Sequence, residues 1–339
     1  NAGTATVTIT MKGNYSGTIT KNFTIERAKT ATATTSNKSY TGSAQIGVTG
    51  TNVDLSGTTS ATNAGTYTAT ATPKANYAWS DGTTTAKTLT WKITEKASSS
   101  LTATLATTTY TYDKTAKEPA VTVKDGSTTL TSGTHYTVSY SNNTNAGIAT
   151  VTITMKGNYS GTITKNFTIE RAKTATASAS DKTYTGSAQI GVTGTNVDLS
   201  GTTSATNVGT YTATATPKAN YAWSDGTTTA KTLTWKTIAK TLTVTPTSRQ
   251  AKTYGTSDNV LTYTYEGQVS GQTPAFEGAL ARETGENVGT YTINKGALAL
   301  KDNGTFLAKN YTLALSSTTV SFTINKKQVS AEWGSEIVF

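Results

Sequence analysis

Cysteine is absent from the 339 residues, and the only histidine is His135. Without thiols, neither disulfides nor thiolate metal sites can form. That composition suits a chain exposed to oxidising surroundings, and it argues against a secreted animal-type module, whose small domains are usually stapled. Charged residues make up 14% and hydrophobic residues 35%, too little charge for charge-driven disorder. No apolar run approaches the roughly 18 residues of a membrane span, and no signal peptide is visible. Arginines are few and no dense Lys/Arg cluster exists. The net charge of +10 therefore reads first as lysines on solvated faces and sheet edges, where they oppose edge-to-edge pairing. An attraction to polyanions is the second reading.

Thr, Ser, Gly and Ala fill the gap left by charged and apolar residues. Threonine, together with 17 tyrosines and frequent Val and Ile, favours pleated, half-buried strands. Val7, Ile9 and Met11 alternate with Thr6, Thr8 and Thr10, and Tyr67, Ala69 and Ala71 alternate with threonines in the same way. A period of two with threonine on the other face predicts antiparallel strands buried on one side. No segment has a convincing helical period, so the expected class is all-β.

The strongest signal is repetition. Residues 1–92 recur at 145–236 with six differences: Thr4/Ile148, Thr34/Ser178, Thr35/Ala179, Asn37/Asp181, Ser39/Thr183 and Ala64/Val208. A catalytic site seldom gains from being copied whole in tandem, whereas an extended scaffold or a multivalent surface scales with copy number. An Asn-(Ala/Val)-Gly tripeptide punctuates the chain at Asn1, Asn63, Asn145, Asn207 and Asn287, with spacings of 62, 82, 62 and 80 residues. The alternation means that two unit types take turns. Since Asn and Gly both tolerate positive φ, the tripeptide is expected to be a turn that feeds a strand.

Units end in an aromatic-x-aliphatic pair, Phe23/Ile25, Trp91/Ile93, Phe167/Ile169 and Phe322/Ile324, with a departure at Trp235, Thr237 and Ile238. The joints that follow are short and lack Gly and Pro, so successive units are expected at restricted angles. The boundaries expected are 1–27 (the C-terminal part of a unit), 28–95, 96–171, 172–239 (a near copy of 28–95), 240–326, and the start of a further unit at 327–339. The chain opens and stops inside repeats and is expected to be a piece of something longer. Each unit is small enough that burial only narrowly offsets chain entropy, so neighbouring units are expected to add stability. Four in line would make a rod of roughly 150 Å.

Few residues carry chemistry. A single imidazole cannot serve every repeat in a Ser-His-Asp system, and His135 reads as a polar residue at a strand entrance. Asp81-Gly82, Asp125-Gly126 and Asp225-Gly226 are hairpin signals. No calcium loop is present, though Asp54 and Asp198 could join a site assembled between domains. The glycines sit in turns rather than in a phosphate cradle. No catalytic residue, cofactor site or metal site is expected. The candidate ligand-binding residues are Tyr77 and Trp79, repeated as Tyr221 and Trp223. Each pair projects to one side of an extended segment and would suit sugar stacking or a protein hot spot. The competing reading places these rings inside, since so small a domain needs its largest side chains for its core.

Residues 96–171 carry Tyr112-Asp113-Lys114, Gly133-Thr134-His135-Tyr136-Thr137-Val138-Ser139-Tyr140 and Gly157-Asn158-Tyr159-Ser160-Gly161. They resemble small Ig-like repeats of large surface proteins in Gram-positive gut bacteria, with His135 replacing the usual acidic residue. Residues 28–95 and 172–239 are similar to a companion unit of the same proteins. Residues 240–326, with Tyr254-Gly255, Gly278-Ala279-Leu280-Ala281-Arg282, Gly285-Glu286-Asn287-Val288-Gly289-Thr290-Tyr291, Asn310-Tyr311 and Phe322-Thr323-Ile324, resemble the YG-type MBG repeat of bacterial adhesins. The resemblance implies a linear array of small Ig-like β-sandwich or related domains. It also implies a non-catalytic stalk or adhesin region at the bacterial cell surface, outside the cell, in a monomeric rod. Fold and function separate readily, so two alternatives stand. The repeats themselves could bind a host protein, for example immunoglobulin, or mucin glycan; or the chain is an accessory region of a secreted polysaccharide-degrading enzyme. Neither nucleic acid nor membrane insertion is expected.

Overall fold

Alternation of threonine with Val, Ile, Tyr and Ala commits nearly every element to a strand. The computed structural model describes residues 1–331, and its only helical elements there are two single-turn 3-10 segments, Ser98–Ser100 and Ala308–Asn310. The chain divides into two compact units, Asn1–Glu170 and Arg171–Phe339. Of the unit expected at 327–339, residues 332–339 lie outside the described residues.

In the first unit, residues 96–170 form a two-layer sandwich. One sheet orders Thr109–Thr111, Thr162–Glu170, Gly147–Met155 and Tyr136–Ser141; the other orders Thr102–Leu105, Val121–Asp125 and Thr128–Thr129. Val151, Ile153 and Met155 point inward from one strand while the intervening threonines point outward. They meet Ala103, Val123, Leu130, Phe167 and Ile169 in a single core. Each fully buried Val or Ile contributes about 1.5–3 kcal/mol. Asp125 and Thr128 pair across the Gly126 turn, as the Asp-Gly signal predicts.

The hairpin Gly3–Thr10 with Thr18–Ile25 has the same pairing as its near copy: Gly3 faces Ile25 as Gly147 faces Ile169. Its burial differs completely. Val7, Ile9 and Phe23 are 45%, 50% and 52% exposed, whereas Val151, Ile153 and Phe167 are at most 2% exposed. Nearly identical letters and the same register set which face is apolar; the opposite sheet decides whether that face is covered.

Residues 28–95 build a four-stranded sheet ordered Lys38–Ser39, Lys87–Thr94, Gly65–Pro73 and Val53–Gly57, backed by two short ladders. Two tryptophans divide the core between them. Trp91, fully buried, packs with Val48, Ala69 and Ile93, and Trp79 packs with Ala31, Val53 and Ala71. Gly47 makes room for Trp91, since a Cβ there would lie 1.9 Å from the indole. The Trp91 N–H donates to the Thr58 carbonyl at 2.8 Å.

The second unit repeats this arrangement at 172–239, with Gly191 against Trp235 and Trp235 donating to the Thr202 carbonyl at 2.8 Å. In residues 240–326, Lys240–Pro246 runs parallel to Tyr311–Leu315 and antiparallel to Tyr263–Glu266. A second sheet orders Ala251–Thr253, Ser321–Asn325, Gly289–Asn294 and Ala281–Arg282. Val244, Leu298, Ile293, Phe322 and Ile324 close the core between these sheets.

Candidate functional site

Two short signatures recur along the chain, the Asn-(Ala/Val)-Gly turn and an Asn-Tyr pair at 14–15, 76–77, 158–159, 220–221 and 310–311. Within each unit the structure brings them together across module joints. The turn Asn63-Ala64 lies beside the exit of its module because Gly65 pairs with Ile93. Three residues past Ile93, the Lys96 amide donates to the Asn158 carbonyl at 2.9 Å. The Asn158 side chain then reaches back to the preceding module. Its Oδ1 accepts the Ala64 amide at 2.8 Å, and its Nδ2 donates to Asn63 Oδ1 at 3.1 Å. Tyr40 and Tyr159 meet edge to face at 5.4 Å. The Tyr159 hydroxyl donates to Asp125 at 3.3 Å. Burial first, and the Asp125 charge second, push this phenol up to about 12.

The second unit contains the same clasp with more apolar surface. Asn310, fully buried, accepts the Val208 amide at 2.9 Å and donates to Asn207 Oδ1 at 3.0 Å. Tyr184 and Tyr311 again meet edge to face at 5.4 Å. Gln272 bridges their hydroxyls, donating to Tyr184 at 2.8 Å and accepting from Tyr311 at 2.6 Å. Tyr184, Leu242, Phe306 and Tyr311 form one buried cluster with Val208 and Val269 against it. A third example joins the first hairpin to its neighbour: Asn76 accepts the Ala2 amide at 2.9 Å and donates to Asn1 Oδ1 at 3.2 Å.

The Asn-x-Gly tripeptide does feed a strand, each beginning at its glycine, but not through positive φ at asparagine. None of its asparagines has a positive φ; Gly3 and Gly147 do, and Gly65, Gly209 and Gly289 do not. Asparagine is used here for its hydrogen-bonding groups. A tyrosine four residues on fixes the turn: Tyr67, Tyr211 and Tyr291 donate to the carbonyls of Asn63, Asn207 and Asn287 at 2.6, 2.6 and 2.7 Å. Recurrence of Asn-Tyr once per module was the available signal for the clasp. Its partners lie too far apart in sequence for spacing to pair them.

A second cluster was not foreseen. Arg282 binds Asp258 through Nε at 2.8 Å and Nη2 at 3.1 Å, and Glu286 at 2.6 Å. Lys252 pairs with the same two carboxylates, closing an alternating ring. The guanidinium lies 5.0 Å from the Tyr291 ring and 5.4 Å from the Phe322 ring, a cation–π arrangement. Arg282 above all holds the Asp258 carboxyl below its usual range, and Lys252 does so for Glu286. Asp258 in turn raises both cations. Every charge in the ring is thus matched internally.

The aromatic pairs face their cores. Trp79 and Trp223 are both 4% exposed, donate to the carbonyls of Thr85 and Thr229 at 2.8 Å, and carry Lys87 and Lys231 over their rings at 4.6 and 4.5 Å. Tyr77 and Tyr221 are half-buried against the same clusters. Each tyrosine thus packs against the same cluster that buries its tryptophan, which leaves the indoles little open face. His135 Nδ1 accepts the Thr131 amide at 2.9 Å at the entrance to Tyr136–Ser141. Asp54 is exposed, and Asp198, also exposed, lies 4.0 Å from Lys218.

No curated protein matches the chain. Among solved structures, the human desmocollin-1 ectodomain aligns over 97% of this chain and 85% of its own length, at 11% identity and a TM-score of 0.17, a score too low to carry an argument. No helix among the described residues is long and apolar enough to cross a membrane. A family model does match one segment: residues 242–321 match the MBG domain of the YGX type.

Proposed function

We propose that this chain is a non-catalytic repeat region of a large bacterial cell-surface protein, working outside the cell to project or multiply a binding surface. The observation that carries the reading is the clasp. The recurring Asn-Tyr and Asn-x-Gly side chains join modules at three places along the chain. The MBG domain at 242–321 supports it, as does the near-identity of 1–92 and 145–236. The densest charge cluster is neutralised within itself, and the tryptophans of the candidate ligand pairs are committed to cores.

The test is a binding survey with the full chain immobilised and immunoglobulin, mucin glycan and a polysaccharide panel in solution. A spacer captures none of them and releases no reducing ends. Saturable capture of immunoglobulin or mucin would make the repeats themselves the ligand surface, and polysaccharide cleavage would overturn the non-catalytic reading.

A further inference from the structure

We propose that the Asn287-Val288-Gly289 turn is a docking surface for the Asn-Tyr loop of a further β module entering the chain at Lys327. This concerns how modules couple, and it holds whatever the array binds.

The receiving geometry is already assembled. Gly289 pairs with Ile324, as Gly65 pairs with Ile93, Gly209 with Thr237 and Gly3 with Ile25. In each joined case, the residue three places past that partner opens the next module on its Asn-Tyr pair: Ala28 bridges Tyr77, Lys96 pairs with Tyr159 and Lys240 with Tyr311. Counting three from Ile324 gives Lys327. The turn is fixed by Tyr291 as its counterparts are fixed by Tyr67 and Tyr211.

What differs is occupancy. The Ala64 and Val208 amides each donate to the asparagine of the following module. Among the described residues, the Val288 amide and the Asn287 side chain have no hydrogen-bond partner. Val288 is 45% exposed, while Val208, its equivalent, packs against the buried tyrosine cluster. An amide donor, an asparagine acceptor and an aliphatic side chain face outward in the same turn. The group that meets all three elsewhere in this chain is an asparagine followed by tyrosine.

Amide hydrogen exchange of Val288 tests this in the chain extended from position 327 by a second copy of residues 96–171, so that Lys96 takes the place of Lys327. A parallel extension uses residues 28–95, whose loop is Asn76-Tyr77. The proposal expects Val288 to exchange at least about tenfold more slowly than in the parent chain, the scale of one added hydrogen bond. Asn158→Ala in the appended copy, or Asn287→Ala in the receiving turn, should return it to the parent rate. Val288 exchanging within about twofold of the parent rate in both extensions overturns the proposal. So does slowing that survives Asn158→Ala. Protection of Val288 in the parent chain that rises with protein concentration would place a second copy on the turn, and would overturn the in-chain occupant.

Discussion

Asn310 Oδ1 accepts the Val208 amide at 2.9 Å, joining residues 102 positions apart. Both ends of this amide are used, and the side chain is fully buried. Asn310→Ala would leave the half-buried Val208 amide and Asn207 Oδ1 without the partner that joins them, and would empty a fully buried position. The expected loss is about 1–3 kcal/mol in the local opening free energy of the joint. Hydrogen exchange at Val208 measures it, since a chain of several modules does not unfold in two states. Asn76→Ala, whose partners are exposed, should cost about 0.5–1.5 kcal/mol.

Packing around Trp91 gives a sharper test. A Cβ at Gly47 would sit 1.9 Å from Trp91 Cδ2 and Cε3, and the indole is held in place by its bond to the Thr58 carbonyl. Neither side can yield cheaply, so Gly47→Ala should destabilise its module by about 1–3 kcal/mol or more. Gly191→Ala should do the same against Trp235. Gly289→Ala has open space at an ordinary φ and should stay within about 0.5 kcal/mol. Exchange of the core amides in each module reads all three.

The strands were legible because alternation such as Val151, Ile153 and Met155 is a local property. The shared burial of Trp91 with Ile93, and of Phe322 with Ile324, was legible because residues two apart on a strand lie on one face. Burial of Trp79 was not decidable from Asn76–Gly82 alone, since it depends on Ala31 and Val53 in other strands. The turn at Asn63 was legible as a turn, but its purpose was not, because Asn158 approaches from another module. The ion ring was hidden for the same reason: Lys252 and Glu286 are 34 residues apart, and a solitary Lys or Glu reads as solvated surface.

Acid should act on the ring before base does. Asp258 and Glu286 have folded values below their unfolded ones. Their contribution is therefore fully present above the unfolded carboxylate range, and it is lost as pH falls through the folded values. Lys252 is raised, so its share is fully present below the unfolded lysine value and is lost as pH climbs through the folded one. The stability of residues 240–326 should thus be flat between about pH 5 and 10 and decline on both sides. Glu286→Gln should shrink the acid limb, as read by exchange of Ile293 and Phe322 amides from pH 3 to 7. An unchanged acid limb would mean the ring carries no linked stability.

The final prediction is a gain. Thr237 stands where the sister module has Ile93, two places after the core tryptophan on the same strand face. It is 2% exposed, and its Oγ1 is the one buried side-chain oxygen among the described residues without a hydrogen-bond partner. A hydroxyl desolvated with nothing in exchange costs about 1–3 kcal/mol. Thr237→Val keeps the shape and removes that oxygen, so residues 172–239 should become more stable by about 1–2 kcal/mol. Thr237→Ile adds the methylene that Ile93 already buries and should gain at least as much if Val192 and Trp235 leave the room that Val48 and Trp91 leave. Exchange of the Ala213 and Ala215 amides in the two variants measures the gain. A loss on Thr237→Val would mean that the hydroxyl finds a partner in solution, most simply a bound water.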